Sequence, residues 1–566
     1  MSHPLLTKRK KNPWLPPMVF LFIVTVSFSL TVFYYSLRQV PLPEPGHPNL
    51  IIGGKNLGHN LVWLNNGEIF FPLELVAQVF DPHIFWDETE ETAVITTNDR
   101  VIRMPTASLT AYVNEEPITL RTPVTLKGNV PYIPIEFLAT VYRININHHQ
   151  TVGTVVVDYW DANPALGITT KRTTIMRDKP SHLSPWVIKI AAREQVTIFG
   201  QQGNWYQVRD KQGHTGFIPA KQLTLVPASP AEEPPPPIIN EPWRPAAGQM
   251  INLTWEYVGN RNPNLDTLNP MAGVNVVSPT WFQLSDRAGN LQNKASTAYV
   301  DWAHRQGYQV WGLVTNDFDP DLTSSVLNST SKRQHLIRQL LSYAVLYQLD
   351  GINLDFENMY LKDQGVYVQF VRELAPLLRE QGLTLSVDVT FVSGSENWSK
   401  VYNRKALAHA ADYIAVMAYD EHWSGSPQAG SVASLPWVRR GLETILAEIP
   451  PEKLLLGMPL YARLWEETTL ANGQVEVSSR ALSMTAAENY LEENNLQPVY
   501  DPTTGQNYAE HTAGNTRYRI WLEDKTSLAQ RVKLAHAYNL AGIATWRRDF
   551  AAPEIWPVLA EWLAVK

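Results

Sequence analysis

The sequence predicts a multidomain chain that closes with a (β/α)8 barrel. Three observations predict it. Over the final ~320 residues, short apolar runs of β character alternate with helical stretches, a length that suits one such barrel. The β-type runs number eight: "INLTWEYV", "GVNVVSPTWF", "YQVWGLVT", "GINLDFE", "LTLSVDVT", "YIAVMAY", "LLLGMPLY" and "LAGIATW". Helical stretches such as "KRQHLIRQLLSYAVLYQ", "VYVQFVRELAPLLREQ" and "SLAQRVKLAHAYN" lie between most of them. The gap between the seventh and eighth runs, 461 to 540, is long. It contains "SSRALSMTAAENYLEENN" and "TRYRIWLED", read as the seventh helix plus a small α/β insertion.

Composition narrows the function. The chain has 566 residues, 44% hydrophobic and 18% charged, enough apolar material for several packed cores. A net charge of −7 with no basic domain argues against a nucleic-acid partner. There is no Cys, so disulfides and Cys-ligated zinc are excluded. Nineteen Trp and 23 Tyr suit a protein that handles sugars, although most aromatics in any chain are core filler.

The elements before the barrel follow in order. Residues 1–16 carry Lys8, Arg9, Lys10 and Lys11 and are expected to be a cytoplasmic basic tail. Residues 17–37 form an uncharged apolar run of ~20 residues, long enough to cross a bilayer as a helix. With the basic cluster before it and no small-x-small cleavage site after it, it is expected to be an uncleaved, single-pass cell-membrane anchor. The later domains would then work outside the cytoplasm. Residues 38–49 are a Pro-rich linker. Residues 50–162 contain an internal repeat: "FPLELVAQVF" at 71–80 matches "IPIEFLATVY" at 133–142, and "TAVITT" at 92–97 matches "TVVVDY" at 154–159. This predicts a duplicated α+β unit. His148 and His149 are adjacent there and point to opposite faces of a strand, a poor metal site. Residues 165–227 read as a small all-β domain, 228–247 as a Pro-rich extended linker, and 248–566 as the barrel.

The chemistry is concentrated in "LDGINLDFENM" at 349–359. Alternation in a strand puts Ile352, Leu354 and Phe356 on the face toward the helices. Asn353, Asp355 and Glu357 then point into the barrel, with Glu357 at the C-terminal mouth where barrel active sites gather. Crowded carboxyls cannot all ionise, so one keeps its proton and can serve as a general acid. The flanking "LSYAVLYQLDGINLDF" is too apolar for an exposed acidic edge.

"DGINLDFE" resembles the D-G-x-D-x-D-x-E signature of glycoside hydrolase family 18, the chitinase-like barrels, departing at Asn353 where that family usually has Asp. "VMAYDEHW", "GMPLYARLW" and "GIATWRRD" resemble the family's sixth, seventh and eighth strand ends. "VSSRALSM", "YRIWLED" and "LAGIATWRRDF" look most like its Gram-positive spore-cortex and cell-wall glucosaminidases. The 50–162 unit resembles the stalk domain named after the N-terminal domain of copper amine oxidases, a name that implies no copper. "GNWYQVRDKQGHTGFIPAKQLTLV" resembles a bacterial SH3-type domain, which in its family contacts wall peptide or acts as a spacer.

The family resemblance implies retaining, substrate-assisted hydrolysis of a 2-acetamido sugar, with no metal and no cofactor. It implies catalytic roles for Glu357, Asp355 and Tyr419. Sugar contacts would come from Asp420, Trp546, Met417, Asn353, Tyr461 and Arg463. Glu256, Asp388 and Met458 are lesser candidates for the cleft. The implied partner is N-acetylglucosamine-containing peptidoglycan of cell wall or spore cortex. A chitinase, and an inactive glycan-binding barrel, are the alternatives.

Overall fold

The computed structural model describes residues 15–41, 47–160, 162, 164–227, 241 and 243–564. The basic tail and most of the 228–247 linker lie outside these residues. The chain divides into two compact units, one of residues 1–84, 106–110 and 119–236, the other of 85–105, 111–118 and 237–566.

In the first unit, a 22-residue helix, Leu15–Ser36, coincides with the expected anchor over 17–37. Among the described residues, no helix is long and apolar enough to cross a membrane, and several side chains of Leu15–Ser36 fall outside that set. The structure therefore does not establish the anchor. The repeat is visible in three dimensions. Strands Glu68–Pro72 and Val130–Pro134, one from each copy, pair antiparallel. Phe71 faces Ile133, its own counterpart in the repeat, so a local two-fold passes between them. The all-β segment forms a seven-stranded sheet over a core of Met176, Val196, Ile198, Val208 and Ile218.

The second unit holds the barrel. Its eight parallel strands are β1 (Ile251–Glu256), β2 (Val276–Leu284), β3 (Gln309–Thr315), β4 (Gly351–Asp355), β5 (Thr384–Thr390), β6 (Tyr413–Met417), β7 (Leu454–Pro459) and β8 (Gly542–Trp546). Each pairs with its sequence neighbour, and β8 pairs back onto β1 to close the ring. These are the eight runs read from sequence. Between β7 and β8 sits a five-stranded antiparallel sheet with the helix Met484–Glu493. Sequence reading anticipated that helix and one strand. The remaining strands alternate polar and apolar residues on a half-solvated sheet and carry no continuous apolar run.

Part of the repeat belongs to the barrel's unit. Residues 85–105 and 111–118 form β-structure against α1 (Thr330–Tyr347) and α2 (Gln364–Glu380), the helices before and after β4. Val94 and Val101 are fully buried in the same apolar core as Leu336, Phe370 and Val371. The Asp87 carboxylate accepts the backbone N–H of Thr330 at 2.9 Å and its hydroxyl at 2.7 Å. The Glu90 carboxylate accepts the N–H of Ser331 at 3.0 Å. Two carboxylates thus meet the positive end of the α1 dipole. Burial alone would raise the pKa of Asp87, but the hydrogen bonds from Thr330 and Glu90 and the nearby Arg333 outweigh it and hold the pKa low. Deeper in, Glu373 pairs with Arg333 at 2.9 Å and with Arg103 at 3.1 Å. Glu373 and Arg333 are fully buried and Arg103 is 2% exposed.

A buried charge that loses its partner is far more costly than a surface pair. Glu373→Ala takes the carboxylate from buried Arg333 and leaves Arg103 with Glu115 alone, and is expected to cost about 3–5 kcal/mol. Urea unfolding of the full chain, followed by tryptophan fluorescence, measures it. A loss under about 1 kcal/mol, the worth of a surface pair, would show that the network is not acting as a buried clamp.

Candidate active site

The site is built from β4 outward. Ile352, Leu354 and Phe356 are fully buried on the helix side, where Phe356 stacks 5.7 Å from Tyr367 and 5.8 Å from Phe370 of α2. Their alternation turns Asn353, Asp355 and Glu357 inward. The inner wall is apolar, with Trp255, Trp311, Leu313, Tyr413, Ala415, Leu455 and Ala544 forming one cluster.

Asn353 is a hub that uses both ends of its amide. Its Oδ1 accepts from Trp255 Nε1 of β1 at 2.9 Å and from Ser278 Oγ of β2 at 3.0 Å. Its Nδ2 donates to Ser386 Oγ at 3.0 Å and to Asp388 Oδ1 at 2.7 Å, both on β5. Four strands are thereby tied through one neutral side chain.

The carboxyls around this hub all have raised pKa values. Burial raises the pKa of Asp355 to about 7. Burial first, and then the charges of Asp355, Asp388 and Asp420, push Glu357 well above the carboxylate range. Asp388 is raised by burial and by Asp355, and the hydrogen bond from Asn353 only partly offsets this. Asp355 Oδ1 is buried and has no hydrogen-bond partner, so one acceptor in the site is free. Tyr419 is raised well above its ordinary value by burial and by the charges of Asp355, Asp388 and Glu357. It is therefore a phenol that donates and does not ionise.

The backbone of Glu357 is held on both sides. Asn316, just past β3, accepts the Glu357 N–H at 3.0 Å and donates to the Glu357 carbonyl at 2.7 Å. Tyr402 donates to the carbonyl of Phe356 at 2.8 Å. Sequence reading missed Asn316. Its signal was available: it is the first amide after the apolar run "YQVWGLVT", at the end of a barrel strand. Asp388, a lesser candidate from sequence, is central.

Tyr461, Arg463 and Asp420 gather as a second group. Tyr461 donates to Asp420 Oδ1 at 2.6 Å, and Arg463 Nη2 lies 3.6 Å from the same oxygen. They reach Glu357 through the charge of Asp420. Met417 ends β6, 8% exposed, and Met458 is fully buried in the core. Trp546 ends β8 with its ring centroid 5.8 Å from that of Trp255, edge to face. Glu256 does not face the carboxyl group: Arg548 and Tyr299 hold it.

Residues 281–551 match the family model of glycosyl hydrolases family 18. Residues 56–157 match the copper amine oxidase N-terminal domain and 172–224 the bacterial SH3 domain. The chain is 24% identical over 298 residues to the Bacillus subtilis glycosylase YvbX, covering 50% of this chain and 84% of that protein. It is 28% identical over 285 residues to the cortical fragment-lytic enzyme of Bacillus subtilis. That match covers 49% of this chain and 65% of the enzyme, just under two thirds of its length. The spore cortex-lytic enzyme SleL of Bacillus megaterium has the same fold, with a TM-score of 0.50, 18% identity, and coverage of 66% of this chain and 88% of that one.

Asp355 gives a pH dependence with a definite sign. Its pKa rises from 3.8 to about 7 on folding, so the folded chain binds more protons between those values. Stability contributed at this position is therefore lost as pH rises through that window, and the penalty is complete above it. Asp355→Asn removes the charge and is expected to raise the melting temperature at pH 8 while changing it little at pH 3.5. Equal effects at both pH values would refute the burial account.

Proposed function

Because the chain carries a family 18 glycoside hydrolase domain, we propose that it hydrolyses β-1,4 bonds next to N-acetylglucosamine in peptidoglycan, with the substrate's acetamide as nucleophile. One observation carries the reading: the unpartnered, buried Asp355 oxygen stands beside a Glu357 whose surroundings keep it protonated. A carboxylate with a free lone pair suits an acetamido N–H. A carboxylic acid at the barrel mouth suits a leaving glycosidic oxygen.

The acetamide carbonyl oxygen attacks the anomeric carbon of its own sugar while the C1–O bond to the leaving sugar breaks. Glu357 gives its proton to that oxygen. Asp355 accepts the acetamido N–H and stabilises the positive charge that develops on the oxazolinium ring. Tyr419 donates to the acetamide oxygen and aligns it. Glu357, now a carboxylate, takes a proton from water as the water adds to C1, and the configuration is retained. Trp546 floors the sugar, with Met417 as a side wall. Asp420, held by Tyr461 and Arg463, faces the sugar's polar edge. Asn353 acts from below through Asp388.

The substrate assignment rests on likeness to the cortical fragment-lytic enzyme and on the domains before the barrel. We place the SH3-like domain in contact with wall peptide. We assign Leu15–Ser36 to a single-pass anchor in the cell membrane, the barrel lying outside the cytoplasm. At 1.5 Å per residue its 22 residues span about 33 Å, the thickness of a bilayer core. Phe20, Phe22 and Phe28 on it are each about 70% exposed, an apolar surface that water does not favour. The acetamide chemistry serves chitin equally well, so chito-oligosaccharide hydrolysis is the second reading. An inactive binding barrel fits poorly with the retained Glu357.

Glu357→Gln is expected to lower turnover about 10²–10⁴-fold while ligand still binds. Mass spectrometry of products from purified peptidoglycan and from chitin oligomers identifies the bond cut. Cleavage of neither by the intact chain sinks the hydrolase reading. For the anchor, the full chain should stay in the membrane pellet through a high-salt wash, and deletion of residues 15–36 should release it. Release of the intact chain by salt alone would count against a spanning helix.

A further inference from the structure

We propose that a cavity between the duplicated unit and the SH3-like domain binds a primary ammonium group carried on a short aliphatic stem. The cavity measures about 240 Å³, and both of its walls belong to the first compact unit. Asn49, Asn56 and His59 line it from the first strands of the duplicated unit, and Asp178, Gln207 and His214 line it from the SH3-like domain. Its volume is that of about eight liquid waters, room for one amino-acid-sized group. Nothing in this cavity depends on the chemistry of the barrel.

The two walls are fitted to one another. Arg209 of the SH3-like domain donates to both carboxylate oxygens of Asp158, at 2.9 and 2.5 Å. Gln207 Nε2 donates to the Gly54 carbonyl at 3.0 Å. Gly54 has a φ of 82°, and a Cβ there would lie 2.1 Å from the Phe199 ring, so this close approach requires glycine. The cavity is thus bounded by packed backbone and an ion pair, a preformed space of the kind that holds small ligands.

Asn49 supplies an independent sign of a ligand. It sits in the strand Asn49–Ile52, opposite Thr154 on one side and His59 on the other, and all three line the cavity. Its backbone N–H donates to the Gly153 carbonyl at 2.8 Å. Its side chain is a different matter: the residue is 8% exposed, and Oδ1 is buried with no hydrogen-bond partner. A buried amide oxygen left unpaired is costly, and a ligand N–H supplies the missing donor.

Charge selects the ligand. Among the described residues that line the cavity, Asp178 carries the only carboxylate, and none is Lys or Arg. His214 is committed to Asp210, with Nδ1 2.8 Å from Oδ2. A cationic donor therefore meets both an acceptor and a countercharge. An anion would meet Asp178 with no lining Lys or Arg to offset it. Val40, Pro41, Val187 and Phe217 provide the apolar wall for the stem.

Calorimetric titration of the full chain with two probes, 1,5-diaminopentane and acetyl-alanyl-lysyl-alanine amide, tests the site. At least one is expected to bind saturably with Kd below about 1 mM. Acetylating the probe's amine removes its charge and is expected to weaken binding at least about tenfold. Asp178→Asn, at an exposed position, is expected to do the same with the melting temperature unchanged. Asn49→Leu removes an unpaired polar group, so it is expected to weaken binding without lowering the melting temperature. Tighter binding of the peptide identifies a peptide side chain as the source of the amine, and equal or tighter binding of the diamine identifies a free amine; either upholds the site. Saturable binding of neither probe overturns it. So does an affinity that acetylation or Asp178→Asn leaves unchanged.

Discussion

The C-terminal domain is organised around one costly arrangement. Asp388 is buried, and Asp355 and Glu357 are half-buried, beside a wall that includes Trp255, Trp311 and Leu313. Full ionisation there is unfavourable, so the group keeps protons that water would remove. Asn353 makes this tolerable. Its amide accepts from Trp255 and Ser278 and donates to Ser386 and Asp388. An ionised aspartate at this position could accept from β1 and β2 but could not donate to Asp388, and it would add another buried charge. Asn353, where the resembled signature has Asp, thus supplies a donor and omits a charge.

Such a site needs a rigid frame, because a carboxyl displaced toward water returns to its ordinary pKa. The frame is assembled from distant parts of the chain. The helices on either side of β4 are gripped by residues 85–105 and 111–118, through the Arg103–Glu373–Arg333 network and the two carboxylates at the start of α1. Nearer the centre, Asn316 and Tyr402 hold the backbone of β4's last residues. The repeat at 50–162 is therefore more than a spacer. Strands from its first copy serve the barrel's own unit, while the second copy's strands at Ile144–His149 and Thr154–Tyr159 pair within the other.

The eight barrel strands were legible because each is a short apolar run between helical stretches, and burial on both sides leaves that pattern no alternative. The inward row Asn353, Asp355 and Glu357 followed from alternation and the apolar flanks. The insertion after β7 was harder to read. Its strands Val475–Ser483 and Gln506–Ala513 are half-solvated and carry mixed polar residues, so local pattern does not separate them from loop. Glu256 has the same character as Glu357 in sequence, an acid at a strand end. In the fold it is buried and paired with Arg548, 292 positions away.

By itself, the amino-acid sequence determined the barrel, the strand that bears the carboxyls and the face they occupy, because periodicity and burial act over a few neighbouring residues. Tertiary structure alone decided which acids keep their protons, that Asn316 and Asp388 belong to the site, and that half of an N-terminal repeat braces the barrel. Those outcomes depend on distances between residues remote in sequence, and charge, desolvation and hydrogen bonding act through distances of that kind.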